Sequence, residues 1–187
     1  MPLTLLDPNT ALIIVDLQQG LAGAMPSADF AAVVRQSRRL ADAFRARGLP
    51  VALVTVDGVA PGRTEQPSRH TGDFPPGFTD VVAELDPQPG DITVTKQTWG
   101  AFATTDLEAR LKALGVTQVV VTGVATGTGV EATARQAYEA GFNVTLAVDA
   151  MADLRPGAHD RSLAHVFPRL GETGTTDDIL ILLEGRA

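Results

Sequence analysis

Two ionisable residues stand at the ends of apolar segments, where they can act on a small molecule. Asp16 follows the run ALIIV, and Lys96 closes the segment DITVTK. A carboxylate in apolar surroundings is either paired or shifted in pKa, because burying it alone is costly. Lys96 is its natural counter-charge. The chain has 15 Lys and Arg residues but only two lysines, and lysine differs from arginine in that its pKa can shift when it is buried. The pair is a candidate acid–base group, with a structural ion pair or a helix-capping aspartate as the alternative.

A Gly- and Thr-rich elbow, TGVATGTGVEATARQAYEAG (residues 122–141), joins an apolar run to a helical pattern. Its layout is that of a turn that delivers a nucleophile, yet the turn holds no Cys, Ser, His or charged residue. Thr126 and Thr128 offer hydroxyls, but no His is expected beside either, so a Thr nucleophile is not predicted. The spacing of Gly123, Gly127 and Gly129 matches neither a dinucleotide fingerprint nor a P-loop.

Other polar residues have simpler interpretations. Asp57 and Asp149 end two further strands and are expected to cap the turns that follow. His159 and His165 are six residues apart, which does not place them on one helical face, and His70 stands alone. No metal site is therefore predicted.

Two aromatic residues follow Lys96 in the segment KQTWGAF. Trp99 and Phe102 fit either core packing or the wall of a pocket beside the lysine. The sequence leaves both alternatives open.

Apolar runs of strand length alternate with helical patterns along the chain. Strands are predicted at residues 11–17, 51–57, 91–96, 117–123, 143–150 and 172–175. Helices are predicted at residues 27–48, 79–85, 105–115, 158–170 and 177–183, with a capping box at Thr105 and Glu108. A further helix is predicted to follow the elbow and to end at Gly141. This alternation predicts one α/β domain over residues 1–187, a three-layer α/β/α, Rossmann-like fold with a six-stranded, mainly parallel sheet.

Ligands of such folds bind outside the carboxyl ends of the strands. That edge is where Asp16, Lys96 and the elbow are predicted to meet. The Pro- and Gly-rich segment 57–78 is predicted to be a loop that flanks the pocket.

Composition excludes several classes of protein. The net charge of −7 argues against nucleic acid as a partner. No apolar run approaches the roughly 18–20 residues that span a bilayer, and without a signal-like N-terminus the expected location is cytoplasmic. The chain has no cysteine, so disulfides, thiolate metal sites and a Cys nucleophile are excluded.

Three segments together resemble the isochorismatase-like hydrolases, also called the cysteine hydrolase superfamily. They are TALIIVDLQ, KQTWGAF and GVATGTGVEATARQAYEAGFNVTLAVDAMAD. The resemblance implies a site made of an Asp, a Lys and a Cys, of which Asp16 and Lys96 match the first two. The Cys position falls on Gly129, and the resemblance also implies a cis peptide between Val124 and Ala125.

The resemblance implies a pocket around the pair and a small-molecule substrate. No cofactor is predicted, and the segment DGV at residues 57–59 lacks the Asp-x-His pattern of the metal-binding branch of the family. The expected substrate-binding residues are Gly129, Ala125, Val124, Gln18, Trp99 and Phe102. It also implies a homo-oligomer, either a dimer or a tetramer. The isochorismatases of the family resemble this chain in having Gly at the elbow, and they hydrolyse a vinyl ether without a covalent intermediate.

Two functions follow from this resemblance. In the first, the protein is a cysteine-independent hydrolase in which Asp16 acts as general acid and base and Lys96 assists. In the second, it is a catalytically inactive member of the same fold that binds a small molecule or serves as a scaffold. The residues Gln97–Gly100 differ from the Arg and Tyr that the resemblance implies there, so a substrate smaller or less anionic than isochorismate is expected.

Overall fold

The computed structural model describes residues 3–66 and 73–185. The strands are β1 Thr10–Val15, β2 Val51–Val56, β3 Ile92–Lys96, β4 Gln118–Val124, β5 Asn143–Ala152 and β6 Glu172–Gly174. The α-helices are α1 Gln19–Ala22, α2 Ser27–Ala46, α3 Leu107–Ala113, α4 Glu131–Glu139, α5 Ala158–Arg161 and α6 Thr176–Glu184.

The six strands form one sheet in the order β3-β2-β1-β4-β5-β6, and every neighbouring pair is parallel. The sequence prediction of a six-stranded, mainly parallel sheet is confirmed. Strands β1, β2 and β4 are buried along almost their whole length because helices cover both faces of a parallel sheet. The carboxyl ends of β1 and β4 lie side by side, with Val15 opposite Gly123.

Alternate residues of β1 divide the core into two halves. Ala11, Ile13 and Val15 pack with apolar residues of α3 and α4 on one face. Leu12 and Ile14 pack with residues of α2 and α6 on the other face. This alternation follows from the two-residue period of a strand and produces the predicted three layers.

Several helical predictions differ from the structure in extent. The segment 79–85 forms only a 3₁₀ turn, Ala83–Leu85. Helix α3 begins at Leu107 and has no capping box, because the Thr105 hydroxyl donates to the Ala101 carbonyl and accepts from the Leu107 amide. A local bond to the backbone competes here with the cap.

Two stretches wind more widely than an α-helix. The elbow contains a π-helical turn, Thr126–Val130, directly before α4. A second π-helical turn, Ser162–Val166, follows α5 and gives way to a 3₁₀ turn, Phe167–Arg169, in which Pro168 occupies the first turn. The segment 158–170 is therefore helical, as predicted, but with a changing pitch. Among the described residues, no helix is both long enough and apolar enough to cross a bilayer.

Gly123 sets the distance between the two central strands. Its φ is +114°, and a Cβ at this position would lie 2.0 Å from the Val15 carbonyl oxygen. Only glycine combines this backbone conformation with so close an approach. The pairing of β4 with β5 also shifts register between Val121 and Gly123, where β5 has three more residues than β4 between the paired positions.

We expect Gly123→Ala to lower the free energy of unfolding much more than Gly141→Ala. Both glycines have positive φ, but nothing lies within 4 Å of a Cβ built on Gly141. Gly141→Ala should cost about 1–2 kcal/mol from backbone strain alone. Gly123→Ala should cost about 3 kcal/mol more, because β1 and β4 must also separate. Urea unfolding of both variants measures the difference, and equal losses would contradict the role assigned to Gly123.

Candidate active site

Asp16 lies at the point where β1 leaves the sheet. Its φ is +57°, a left-handed conformation that aspartate tolerates better than most residues. Its amide still donates to the Val54 carbonyl at 2.8 Å. The strand is therefore held to its neighbour up to Asp16, and the carboxylate is presented from a fixed backbone.

Lys96 reaches Asp16 across the intervening strand. It ends β3, where it stands opposite Val56 of β2, and β2 separates β3 from β1. The ammonium Nζ lies 2.8 Å from Asp16 Oδ2 and donates also to the Thr98 carbonyl at 3.2 Å. The structure thus brings together the two residues that the sequence predicted as the centre of the site.

The ion pair is buried, and the two oxygens of the Asp16 carboxylate differ in their hydrogen bonds. Asp16 is 6% exposed and Lys96 is 1% exposed. Oδ2 accepts from Lys96, whereas Oδ1 is buried and has no hydrogen-bond partner among the described residues. Burial raises the pKa of Asp16 to about 6, against the opposing effect of the Lys96 charge and its hydrogen bond. Desolvation outweighs the attraction of the cation because the carboxylate has lost nearly all its contact with water.

Gly129 lies directly against this carboxylate. A Cβ at position 129 would stand 2.9 Å from Asp16 Oδ2 and 3.2 Å from the Val124 carbonyl oxygen. No positive φ requires glycine here, so the close approach is what distinguishes the position. The peptide between Val124 and Ala125 is cis, as the family resemblance implied. Val124 is buried in the core, and Ala125 is partly buried against it.

The elbow is also joined to the segment that follows Lys96. The Thr133 hydroxyl donates to the Gly129 carbonyl at 2.7 Å and accepts from the Ala101 amide at 3.1 Å. Gln136 accepts from the Phe102 amide at 2.9 Å. Both contacts come from α4, so this helix fixes the elbow and the segment after β3 relative to each other.

The side chain of Gln18 binds backbone at both its ends. It is fully buried, its Oε1 accepts from the Val56 amide at 2.7 Å, and its Nε2 donates to the carbonyls of Val56 and Phe78. The amide thereby connects the end of β2 to the end of the segment 57–78. Gln18 thus directs its polar atoms to the main chain, and its role in substrate binding stays a prediction.

The two aromatic residues of the KQTWGAF segment have different surroundings. Phe102 is buried in the core, with its ring centroid 6.0 Å from that of Phe142. Trp99 is 64% exposed. For Phe102 the structure shows core packing, whereas Trp99 is available on the surface of the loop that follows Lys96.

One sequence expectation about the elbow is wrong. His159 Nδ1 lies 3.0 Å from the Thr126 hydroxyl, although no His was expected beside either threonine. Asp153, which lies between β5 and α5, accepts from the Gly127 amide at 2.6 Å. Sequence reasoning missed both residues, since each lies about 30 positions from its partner and only the packing of α5 on the elbow joins them.

Asp149 was expected to cap the turn that follows it, but it binds the start of helix α6 instead. Its Oδ1 accepts from the amide and the hydroxyl of Thr176, at the start of α6. Asp57 is exposed in the loop after β2. Among the described residues, no group of three or more His, Asp and Glu side chains is arranged to hold a metal ion. His70 lies outside the described residues.

Comparisons with known proteins agree with this architecture. The solved structure of an isochorismatase family protein from Burkholderia thailandensis superposes with a TM-score of 0.91 at 37% identity and covers 96% of this chain and 98% of that one. The crystal structure of a cysteine hydrolase from Pseudomonas syringae gives a TM-score of 0.79 at 24% identity, with 96% and 94% covered, which shows the same fold.

The parallel sheet, the buried Asp–Lys pair and the elbow define a three-layer α/β hydrolase. The sequence profile of the isochorismatase domain matches residues 10–178, and the chain belongs to the isochorismatase family of hydrolases. It is 37% identical over 183 residues to the isochorismatase family protein YecD of Escherichia coli O157:H7, with 92% of this chain and 95% of the relative covered. It is 30% identical over 184 residues to the phenazine biosynthesis protein PhzD of Pseudomonas fluorescens, with 94% and 87% covered.

We expect the side-chain carboxyl of Asp16 to titrate with a midpoint near pH 6. The unfolded chain ionises this group near pH 3.8. The stability that it contributes should therefore be fully present below about pH 4 and be lost as the pH rises through 6, by roughly 3 kcal/mol. Carbon-13 NMR of the carboxyl, assigned with Asp16→Asn, measures the midpoint. A midpoint at or below pH 4 would show that the Lys96 charge outweighs burial.

Proposed function

We propose that this hydrolase cleaves an enol ether of a small molecule by general acid catalysis, with Asp16 as the acid and without a covalent intermediate. The observation that carries the proposal is the asymmetry of the buried carboxyl. Oδ2 is held by Lys96, whereas Oδ1 has no partner among the described residues. A buried polar atom without a partner is costly, and a substrate that bonds to it removes that cost.

The contact with Lys96 selects which oxygen carries the proton. An ammonium donates only, so Oδ2 must remain an acceptor and the proton of the acid form resides on Oδ1. A pKa near 6 places the acid close to neutral pH, where a general acid combines adequate protonation with a strong tendency to donate. Such participation typically accelerates a reaction by about 10²–10⁴-fold.

The reaction balances with water as the only other reactant. Asp16 Oδ1 transfers its proton to the terminal carbon of the C=C bond, and the ether oxygen stabilises the resulting oxocarbenium ion. Water adds to the cationic carbon, and the Asp16 carboxylate accepts the proton that the water loses. The hemiketal then breaks its bond to the alcohol oxygen, its hydroxyl group loses a proton and the alcohol oxygen gains one, which leaves an alcohol and a ketone.

Lys96 assists by holding the carboxyl in place through both protonation states. It anchors Oδ2 while Oδ1 donates, and it stabilises the carboxylate that forms after the proton has left. The absence of a cysteine is consistent with this mechanism. Amide hydrolysis through an acyl-enzyme needs a nucleophile, and position 129 has no side chain to supply one.

An inactive binding protein on the same fold is the competing function. A scaffold has no need for a buried carboxyl with one free oxygen, because replacing a buried ion pair by apolar residues is often neutral or stabilising. The intact pair therefore favours catalysis. Binding of an enol ether without turnover at high protein concentration would instead support the inactive alternative.

We expect Asp16→Asn to reduce enol ether turnover by at least about 100-fold, because the amide has no acidic proton to give. In the wild type kcat/KM should fall as the pH rises above about 6, since only the protonated carboxyl is active. In D₂O the wild-type enzyme should place one deuterium on the carbon that receives the proton, and NMR of the ketone detects it. Undiminished turnover by Asp16→Asn would contradict the proposal.

We expect Gly129→Ala to lower kcat/KM by about 10–100-fold, since small displacements of a catalytic group have effects of this size. The new methyl would stand 2.9 Å from Asp16 Oδ2 and push the carboxylate away from Lys96. Gly23→Ala is the matched control, because nothing lies within 4 Å of a Cβ at that position. Steady-state kinetics on both variants decides the point, and equal kcat/KM values would show that the space at position 129 is unimportant.

A further inference from the structure

The turn that carries Gly129 is held from outside by one short segment of chain. Asp153 Oδ2 accepts from the Gly127 amide at 2.6 Å, and Arg155 donates to the Gly127 carbonyl at 3.4 Å. His159 Nδ1 meets the hydroxyl of the preceding residue, Thr126, at 3.0 Å. Two consecutive residues of the turn are thus bound by the segment 153–159, which follows β5.

A second polar contact joins the same two regions one turn further on. The Ser162 hydroxyl donates to Glu131 Oε2 at 2.7 Å, and both residues are buried. The start of α4 is therefore attached to the end of α5 as well. These contacts make the segment 153–162 a continuous support along the elbow.

The turn needs such a support because its own sequence does not fix its conformation. Residues 126–130 form a single π-helical turn, a rare geometry that occurs frequently at functional sites. Two of the five residues are Gly127 and Gly129, and glycine loses more conformational freedom on ordering than any other residue. Contacts from elsewhere in the chain must therefore hold residues 126–130 in this conformation.

The position of the turn determines what surrounds Asp16. The amides of Thr128 and Val130 both donate to the Ala125 carbonyl, so the turn moves as a unit. Gly129 lies in the middle of the turn, and a Cβ placed on it would be 2.9 Å from Asp16 Oδ2. A shift of a few tenths of an ångström at Thr126 is therefore transmitted to the space around the carboxylate.

The hydroxyl of Thr126 acts within the protein rather than on a substrate. Thr126 is completely buried, whereas His159 is partly exposed. The Thr126 hydroxyl lies 3.0 Å from His159 Nδ1, so its hydrogen bond is made to another part of the chain. The close His–Thr contact therefore has a structural use.

We propose that His159 is a positioning residue that acts through the Thr126 hydroxyl, and that together they hold the turn 126–130 in register with Asp16. The kinetic part of this inference rests on the proposed enol ether hydrolysis. The structural part depends only on the contact between the two side chains.

Two substitutions remove the contact with little change of shape. Thr126→Val replaces the hydroxyl by a methyl group of similar size, and His159→Leu removes the ring nitrogen. In His159→Asn the side-chain amide places a hydrogen-bonding atom where Nδ1 stood, so this variant should restore the contact. His165→Leu is the matched control, because His165 is an exposed imidazole in the same helical segment.

Hydrogen exchange at the Gly127 amide is the first readout. Its exchange should accelerate by about 10-fold in Thr126→Val and in His159→Leu, since local opening of the turn becomes easier. It should stay within about 2-fold of wild type in His159→Asn and His165→Leu. The double variant should show no more than the larger single effect, because both substitutions remove one shared interaction. Unchanged or additive effects would overturn the inference.

Enzyme kinetics is the second readout. In Thr126→Val and His159→Leu, kcat should fall by about 10-fold while KM changes by less than about 2-fold, and His159→Asn should recover most of kcat. A purely structural contribution would lower the thermal midpoint and leave kcat of the folded enzyme unchanged, which would contradict a positioning role. If no enol ether is turned over by the wild type, the proposed function fails, and the exchange experiment still decides whether His159 holds the turn.

Discussion

The burial of one ion pair at the carboxyl edge of the sheet is the constraint around which the site is arranged. Asp16 and Lys96 lie on strands separated by β2, and both are almost inaccessible to solvent. Such a pair is tolerated only when its geometry is well defined, because each charge loses its hydration. The bonds at 2.8 Å to Asp16 Oδ2 and at 3.2 Å to the Thr98 carbonyl satisfy Lys96, whereas Asp16 keeps one free oxygen. The uncompensated part of the burial cost appears as the raised pKa of Asp16.

The elements around the pair serve to keep it in place. Gly123 lets β4 approach β1 closely, and this approach places the elbow against the carboxylate. Gln18 ties the end of β2 to the segment that returns towards Val81. Helix α4 and the segment after β5 hold the elbow from two further directions. Asp16 and Lys96 thus lie at the ends of two strands of the sheet, and the turn 126–130 is supported by contacts of its own.

Much of the fold was predictable because it depends on local patterns. Runs such as ALIIV and VALVTV predict buried parallel strands, and all six predicted strands agree with the structure to within two residues at each end. The segments 79–85 and 158–170 were predicted less well. Their apolar periodicity is helical, but Pro168 and the tertiary packing change the pitch of the latter, and only one turn of the former remains.

The sequence by itself determined the chemical inventory: an Asp and a Lys at strand ends, a glycine-containing elbow, and no cysteine. These follow from residue types and from the rule that parallel strands gather their carboxyl ends. Only the tertiary structure decided that His159 meets Thr126, that Gln18 binds the main chain, and that Phe102 belongs to the core. These contacts join residues far apart in sequence. They depend on helix packing and on the irregular pairing of β4 with β5, and no local periodicity encodes either.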